Sequence, residues 1–300
     1  MRTTSSPTGS RSSTEARCER GRGLPPGARR GMVRGGSDAG DAGDGNGASG
    51  GPGMKSRLCT YDLETREVVL VYETPAHIEA PNWTPDGRAL IVNGEGRLYR
   101  VPLAHPALET VETGFAHRLN NDHGPSPTGD RLAVTDKSET GRACIYTLPA
   151  EGGDPVRVTE HVPSWFHAWS PDGTRIAYPG VRDGRFDLYT CPAEGGAETR
   201  VTDGRFDHVD GPDYTPDGAW LWFNAILGEE GSRLWRIRPD GSGLQRMTAG
   251  PTCDWFPHPS PCGRRVLFLA YPHGTEGHPA DRDVQLRIMP AEGGASETLV

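Results

Sequence analysis

The sequence predicts an all-β protein that is built from a repeated unit of short strands and tight turns. Its 300 residues include 41 glycines and 27 prolines, which together are about twice the ~12% typical of proteins. Both residues are unfavourable inside helices, so a helical bundle is disfavoured. The chain also contains no run of 18 apolar residues, and no transmembrane helix is predicted. A turn motif recurs at nearly constant spacing, and this repeat is the strongest of the three observations.

The repeated turn reads Ser/Thr-Pro-Asp-Gly in its most regular form. It closes five segments whose final glycines are 42, 44, 45 and 45 residues apart. Proline fixes φ for the first central position of a turn, and glycine takes the left-handed position that closes a hairpin. We therefore interpret these residues as structural. The five segments are Asn82–Gly87, His123–Gly129, Ala168–Gly173, Asp213–Gly218 and His258–Gly263.

Each turn is followed by two apolar strands, a second turn and a third strand. With an inner strand before the first turn, the unit has four strands and about 40–45 residues, which is typical of a β-propeller blade. Residues 57–74 are predicted to supply the two outer strands of a sixth blade, whose inner strands we expect from the C-terminus. The sixth turn would fall near position 308, beyond Val300.

The sequence thus predicts a six-bladed β-propeller of four-stranded blades over residues 54–300, with the last blade incomplete in this chain. Two explanations remain open for the incomplete blade. Either the chain is a fragment, or the ring stays open with exposed edges unless a strand from a partner fills them.

Residues 1–53 are predicted to be a disordered, low-complexity tail. They contain 14 glycines, and their larger aliphatic residues are confined to Met1, Leu24, Met32 and Val33, which is too few to form a core. Folded sequence is predicted to begin at Met54. This favours translation starting there, with a genuine disordered extension as the alternative. Because the tail has no apolar segment typical of a signal peptide, we expect a cytoplasmic protein rather than a periplasmic or secreted one.

The repeats give the chain a family resemblance. The motif Trp83-Thr84-Pro85-Asp86-Gly87, its counterparts in the later repeats, and the Ala-Glu-Gly-Gly turns at 150–153 and 193–196 resemble those of the TolB-like six-bladed β-propellers, with their WD40-like repeats. The resemblance covers about residues 57–300. The member that names the family is a periplasmic protein of the Tol–Pal envelope system and binds protein partners. The chain departs from that member because it shows neither a signal peptide nor a separate N-terminal α/β domain.

The resemblance implies a ligand- or protein-binding scaffold that acts through a polar central channel. In a propeller the inner strand of each blade lines this channel. Alternation along a strand places the residues eight and six positions before each turn glycine on one side, so we expect them to converge. A long loop at residues 271–283 adds a histidine on the same face. The predicted ligand-binding residues are Glu79, Asn82, Asn120, Asn121, Asp122, His123, Trp165, His167, Asp210, Asp213, Trp255, His258 and His278.

Three of these histidines, His123, His167 and His258, are also candidate ligands for a divalent metal such as Zn²⁺, Mn²⁺ or Ca²⁺. The chain is similar to oligogalacturonate lyases as well, which implies a metal-assisted carbohydrate-active lyase or hydrolase as the alternative function. Trp165 and Trp255 would then stack on a sugar ring. The simpler interpretation is that the histidines hydrogen-bond backbone groups or channel water. A net charge of −8 disfavours nucleic acid as a partner, which leaves a protein or carbohydrate ligand.

Overall fold

The computed structural model describes residues 30–33, 55–279 and 282–300. These residues form five four-stranded antiparallel sheets and one three-stranded sheet. Their one helical segment is a 3₁₀ turn at Gly228–Glu230. In chain order the strands are β1 (Arg30–Val33), β2 (Ser56–Tyr61), β3 (Val68–Thr74), β4 (Glu79–Trp83), β5 (Ala89–Gly94), β6 (Arg97–Pro102), β7 (Glu109–Val111), β8 (Leu119–Pro125), β9 (Arg131–Asp136), β10 (Cys144–Pro149), β11 (Val156–Arg157), β12 (Ala168–Trp169), β13 (Arg175–Arg182), β14 (Arg185–Pro192), β15 (Thr199–Arg200), β16 (His208–Tyr214), β17 (Leu221–Ile226), β18 (Ser232–Ile237), β19 (Gln245–Arg246), β20 (Thr252–Pro259), β21 (Arg265–Pro272), β22 (Gln285–Pro290) and β23 (Glu297–Thr298).

The predicted all-β propeller is confirmed, but the number of blades is not. Each run of four consecutive strands from β4 to β23 forms one complete blade, which gives five blades instead of six. The strands β2 and β3, expected in a sixth four-stranded blade, belong to a three-stranded sheet with the order β1-β2-β3. No described helix is long and apolar enough to cross a membrane.

The third strand of that sheet comes from an unexpected part of the chain. Strand β1, which pairs antiparallel with β2, lies inside the segment predicted to be disordered. The inner strands of this sheet were expected from the C-terminus instead. The physical reason is that the inner edge of β2 offers unpaired backbone groups, which any nearby extended segment can satisfy. Residues 1–29 and 34–54, and with them the predicted start at Met54, lie outside the described residues.

The three-stranded sheet lies between the first and the last blade. On one side β1 lies against β4, and Leu58 packs in a buried cluster with Ile78 and Leu90. On the other side the turn between β2 and β3 contacts the outermost strand of the last blade, where Arg66 Nη1 lies 2.5 Å from Glu297 Oε1. The sheet therefore occupies the gap between the two ends of the row of blades.

The repeated turns have the geometry that their sequence predicts. In the third segment, Ser170 Oγ donates to Asp172 Oδ1 at 2.5 Å and accepts the N–H of Arg175 at 2.9 Å. Gly173 has a φ of 71°, in the left-handed region that favours glycine. Thr215 and Asp217 repeat the hydroxyl–carboxylate bond at 2.6 Å in the next blade. These turns hold the first and second strands of each blade in register.

Neighbouring blades are joined by apolar packing and by ion pairs. Trp222 is fully buried in a cluster with Val266 and Phe268 of the next blade. Near the surface, Arg100 Nη1 lies 2.8 Å from Glu151 Oε2 in the second turn of the following blade. The pair of Arg131 with Glu194 and the pair of Arg236 with Glu292 repeat this link between later blades. Because these glutamates are exposed, the packing contributes more to the ring's stability than the ion pairs do.

Candidate functional site

The innermost strands of the blades meet around the central channel. They are β4, β8, β12, β16 and β20, each at the inner edge of its sheet, and β4 lies against β8 while β16 lies against both β12 and β20. The pairing of four of them with the next strand is interrupted, for example between Glu79 and Asn82 and between Asp210 and Asp213. At the equivalent position of three strands the backbone is left-handed, with φ of 50° at Ala80, 58° at Gly211 and 52° at Phe256. Such a bulge redirects the side chains that follow it.

Three blades contribute to an acid–histidine cluster at the mouth of the channel. His167 Nε2 lies 2.9 Å from Asp210 Oδ1 and 3.7 Å from Asp122 Oδ1. The exposed fractions of these side chains are only 15%, 14% and 10% for His167, Asp210 and Asp122. Asn120 Nδ2 donates to Asp122 Oδ2 at 2.5 Å, and the N–H of Gly211 donates to Asp210 Oδ1 at 2.8 Å. We refer to Asp122, His167 and Asp210 as the channel triad.

The two carboxylates of the channel triad differ in their electrostatics. Burial raises the pKa of Asp122 to about 6, against the opposing charge of His167, and the charge of Asp210 adds to the increase. Burial acts in the same direction on Asp210, but the charge and hydrogen bond of His167 outweigh it and hold the pKa of Asp210 well below its usual value. Burial alone would lower the pKa of His167, yet Asp210 and then Asp122 raise it. His167 and Asp210 therefore form the ion pair, and Asp122 is the group that titrates near pH 6.

Aromatic rings and further titratable groups surround the channel triad. The ring of His167 stacks on Phe256, with centroids 6.0 Å apart and planes inclined by 17°. Phe256 in turn contacts His278 edge-on at 4.8 Å, and His208 Nε2 approaches Asp210 Oδ2 at 3.9 Å. The carboxylate of Glu79 acts electrostatically on Asp122. The structure thus brings together five of the predicted residues, which are Glu79, Asn120 and the three members of the channel triad, with His278 beside them.

The other predicted residues lie elsewhere, and His123 is the clearest correction. It was expected in the channel, but it is 5% exposed, and its Nε2 lies 3.4 Å from the carbonyl oxygen of Ile91 in the neighbouring blade. Burial lowers its pKa to about 4. Asn82 donates from Nδ2 to the carbonyl oxygen of His123 at 2.9 Å, which makes it a link between blades. Asn121 is half-buried on the same strand. The prediction from strand alternation failed here because the bulge interrupts the strand pairing just before His123, and it changes the direction of the side chains around it.

The remaining predicted residues form separate pairs. His258 is 55% exposed, and its Nδ1 lies 3.1 Å from Asp213 Oδ2. Trp255 is 1% exposed and packs against His208, so it has no free face for a sugar ring. Trp165 stacks on Phe186 with centroids 6.0 Å apart. Trp165 is partly buried, whereas Trp255 is a packing residue in the channel wall.

The three candidate metal ligands do not share one site. His123 faces a carbonyl group, His167 belongs to the channel triad and His258 pairs with Asp213. Among the described residues there is no group of three or more His, Cys, Asp or Glu side chains placed to hold a metal ion. The bulges separate these histidines because they aim the side chains at different neighbours.

Three residues of the site are not among the predicted ligand-binding residues. His208 and His77 each stand two positions before an acidic residue of an inner strand, and His77 Nε2 lies 3.5 Å from Glu79 Oε2. This spacing places both members on one side of a strand and could have identified the two histidines. Phe256 gave no such signal, because its role depends on the left-handed backbone at that position.

Comparison with known proteins points to one family. No family model matches the chain. An uncharacterized protein of Agrobacterium fabrum is 47% identical over 254 residues, which cover 84% of this chain and 86% of that protein. A solved structure from Agrobacterium tumefaciens assigned to TolB is 46% identical with a TM-score of 0.80, and the match covers 82% of this chain and 89% of that one. The Tol-Pal system protein TolB of Anaeromyxobacter dehalogenans is 31% identical over 180 residues, or 55% of this chain and 41% of that protein.

These relatives overturn the cytoplasmic location expected from the sequence. That expectation was based on the absence of an apolar signal segment near the N-terminus. Two of these relatives carry the name TolB, and TolB is a periplasmic component of the Tol-Pal system. They therefore point to the periplasm.

Proposed function

The chain belongs to the TolB-like β-propeller family, and from this premise we propose that it is a non-catalytic scaffold that binds a protein partner at its channel mouth. The supporting observation is the channel triad, in which Asp122, His167 and Asp210 from three blades converge at partly exposed positions. A site that needs three blades forms only when these neighbouring blades pack together. Its geometry is held by the same packing that holds the propeller together.

The charge of the site favours a basic segment of the partner. The charges of His167, Asp210 and Glu79 all act on Asp122, and two of these three charges are negative. Burial of Asp122 raises its pKa, which means that its negative charge is poorly compensated within the protein. A lysine, an arginine or an amino terminus would supply the missing positive charge. A recessed cluster with an excess of negative charge also focuses its field toward an approaching ligand of opposite charge.

The name of one relative suggests which partner to test. That relative is a Tol-Pal system protein, so we propose that the partner is a component of such a system, with Pal as the first candidate. The metal-assisted enzyme is not favoured, since the described residues offer no group of three metal ligands.

Calorimetric titration of the full chain with the soluble domain of Pal from the same organism tests the proposal. The variant Asp122→Asn removes one channel carboxylate, and we expect it to weaken binding about tenfold because a buried charge pair is lost. The matched control is Glu151→Gln at the opposite end of the propeller, where the side chain is 82% exposed. This control should bind like the wild type. Absence of Pal binding, or equal affinity for all three proteins, would overturn the proposal.

A further inference from the structure

The outermost strand of the three-stranded sheet differs from every other outermost strand among the described residues. Strand β3 has seven residues, whereas β7 has three and β11, β15, β19 and β23 have two each. Very short outer strands are a common protection against edge-to-edge association. The five blades use this protection, and the three-stranded sheet does not.

The unprotected strand is also apolar on its surface. Val68, Val69 and Leu70 are 55%, 39% and 53% exposed, and Leu63 in the preceding turn is 46% exposed. These are four of the eight large apolar side chains that are exposed in the described structure. On one side β3 pairs with β2, and within the described sheet no strand covers its other side. A long, apolar, β-branched edge of this kind is a template for another strand.

We propose that a second copy of this chain docks on β3, so that the two β3 strands pair antiparallel across a two-fold axis. Such an interface is self-complementary, since the same edge of β3 in each copy pairs with the same edge in the other. The charges at the ends of the strand fit this arrangement. At one end Lys55 and Arg57 flank Glu73 at 2.6 and 2.7 Å, and at the other end stand the exposed Glu64 and Glu67. Antiparallel pairing brings the basic end of each copy to the acidic end of the other.

The chain's own remaining sequence is a poor alternative occupant. Residues 1–29 and 34–54 contain only Met1, Leu24 and Met54 as larger aliphatic residues. A strand from these segments could not match the row formed by Val68, Val69 and Leu70. A second β3 supplies the same apolar row in reverse order, and pairs of β-branched residues across an antiparallel ladder stabilise it.

Sedimentation velocity of the full chain over a range of concentrations tests this proposal. The wild type should shift from monomer to dimer as concentration rises. The variant Leu70→Lys places two like charges near the two-fold axis, and we expect it to raise the dimer dissociation constant about tenfold or more. The control is Val156→Lys, which adds the same charge at an apolar residue that is 63% exposed on the outermost strand of another blade. This control should dimerise like the wild type.

A second variant tests the same dimer without changing any residue of β3, so a folding defect in that strand cannot explain its result. The double change Glu64→Lys and Glu67→Lys affects only exposed side chains of the turn and makes both ends of the strand basic. It should also weaken the dimer, and added salt should reduce the difference from the wild type. The proposal is overturned if the wild type stays monomeric at all concentrations, or if Leu70→Lys and Val156→Lys dimerise equally.

Discussion

The inner strands of the propeller end in repeated turns on one side and begin at bulges on the other, and the two ends differ in how far they repeat. At the turn end, Ser170 with Asp172 and Thr215 with Asp217 form the same bond in successive blades. At the channel end, equivalent positions differ between blades, as do Glu79, Asn121 and Asp210, each eight residues before its turn glycine. The turn end therefore repeats one local structure, while at the channel end each blade contributes its own side chain to a single shared site.

This difference shows how one scaffold carries a specific site. A turn is stabilised within its own hairpin, so each blade can use the same residues. The channel triad is stabilised between blades, because the partner of His167 comes from the next blade. Removing an interaction at the turn end should therefore lower the free energy of unfolding only modestly, because the interaction lies within one hairpin. At the channel end the loss should depend on burial and on the charges that neighbouring blades supply.

The largest effect is expected in a comparison of two aspartates, Asp210 in β16 and Asp217 in the turn that follows this strand. We predict that Asp210→Asn lowers the free energy of unfolding by about 3 kcal/mol, since it leaves the buried His167 without its closest carboxylate. The matched variant Asp217→Asn, seven residues later at the turn, should cost about 1 kcal/mol or less, because it weakens only the hydrogen bonds within one turn. Urea denaturation at pH 7 measures both. Equal losses would mean that the His167–Asp210 pair contributes no more than a turn does.

The second prediction separates the two carboxylates of the channel triad. The pKa of Asp122 is raised to about 6, above that of an aspartate in the unfolded chain, so the folded state binds the extra proton between about pH 4 and 6. Stability is therefore lost as the pH rises through this range. Asp122→Asn removes the loss and should stabilise the protein at pH 7.5 by about 2 kcal/mol relative to the wild type. At pH 4 the difference should nearly vanish.

Unfolding free energies of both proteins measured from pH 4 to 8 test this prediction. The free energy of unfolding of the variant should rise relative to that of the wild type between pH 4 and 6, and the difference should stay constant above pH 7. A variant that is less stable than the wild type at pH 7.5 would contradict it. In that case the charge of Asp122 would be needed by His167 in addition to that of Asp210.

The same contrast explains what could be predicted from the sequence. The blades and their turns follow from local chemistry, so the left-handed glycine that closes each turn, such as Gly173, was predicted correctly. The channel follows from bulges, and of their left-handed residues only Gly211 is a glycine, whereas Ala80 and Phe256 carry no such signal. Counting by strand alternation consequently placed His123 in the channel, where the structure has Asp122.

The count of six four-stranded blades failed for a related reason. The partner that β2 needs depends on which extended segment reaches it, and that is not encoded in the repeat. Strand β1 comes from a segment of low complexity, where pattern analysis finds no strand. Sequence repeats thus predicted the five complete blades but not the sheet that lies between the first and the last.

A third prediction tests the turn end alone. Ser170→Ala removes both the bond to Asp172 and the acceptor for the N–H of Arg175. We expect a loss of about 1–2 kcal/mol in the free energy of unfolding, the usual cost of leaving a partly buried backbone donor without a partner. Ser170→Thr keeps the hydroxyl, as in the neighbouring Thr215 turn, and should retain most of the stability. Thermal and urea denaturation check both variants, and equal losses would contradict the role of the hydroxyl.

The smallest expected effect lies at the exposed rim of the channel. His258 pairs with Asp213 across two blades, much as His167 pairs with Asp210, but it is 55% exposed instead of 15%. Solvent screens such a pair, so His258→Ala should change the free energy of unfolding by less than about 0.5 kcal/mol. His167→Ala in the same assay should cost several times more, because it leaves Asp210 buried without its cation. If the two variants were equally destabilised, then the contribution of each His–Asp pair to stability would depend on the contact between blades and not on burial.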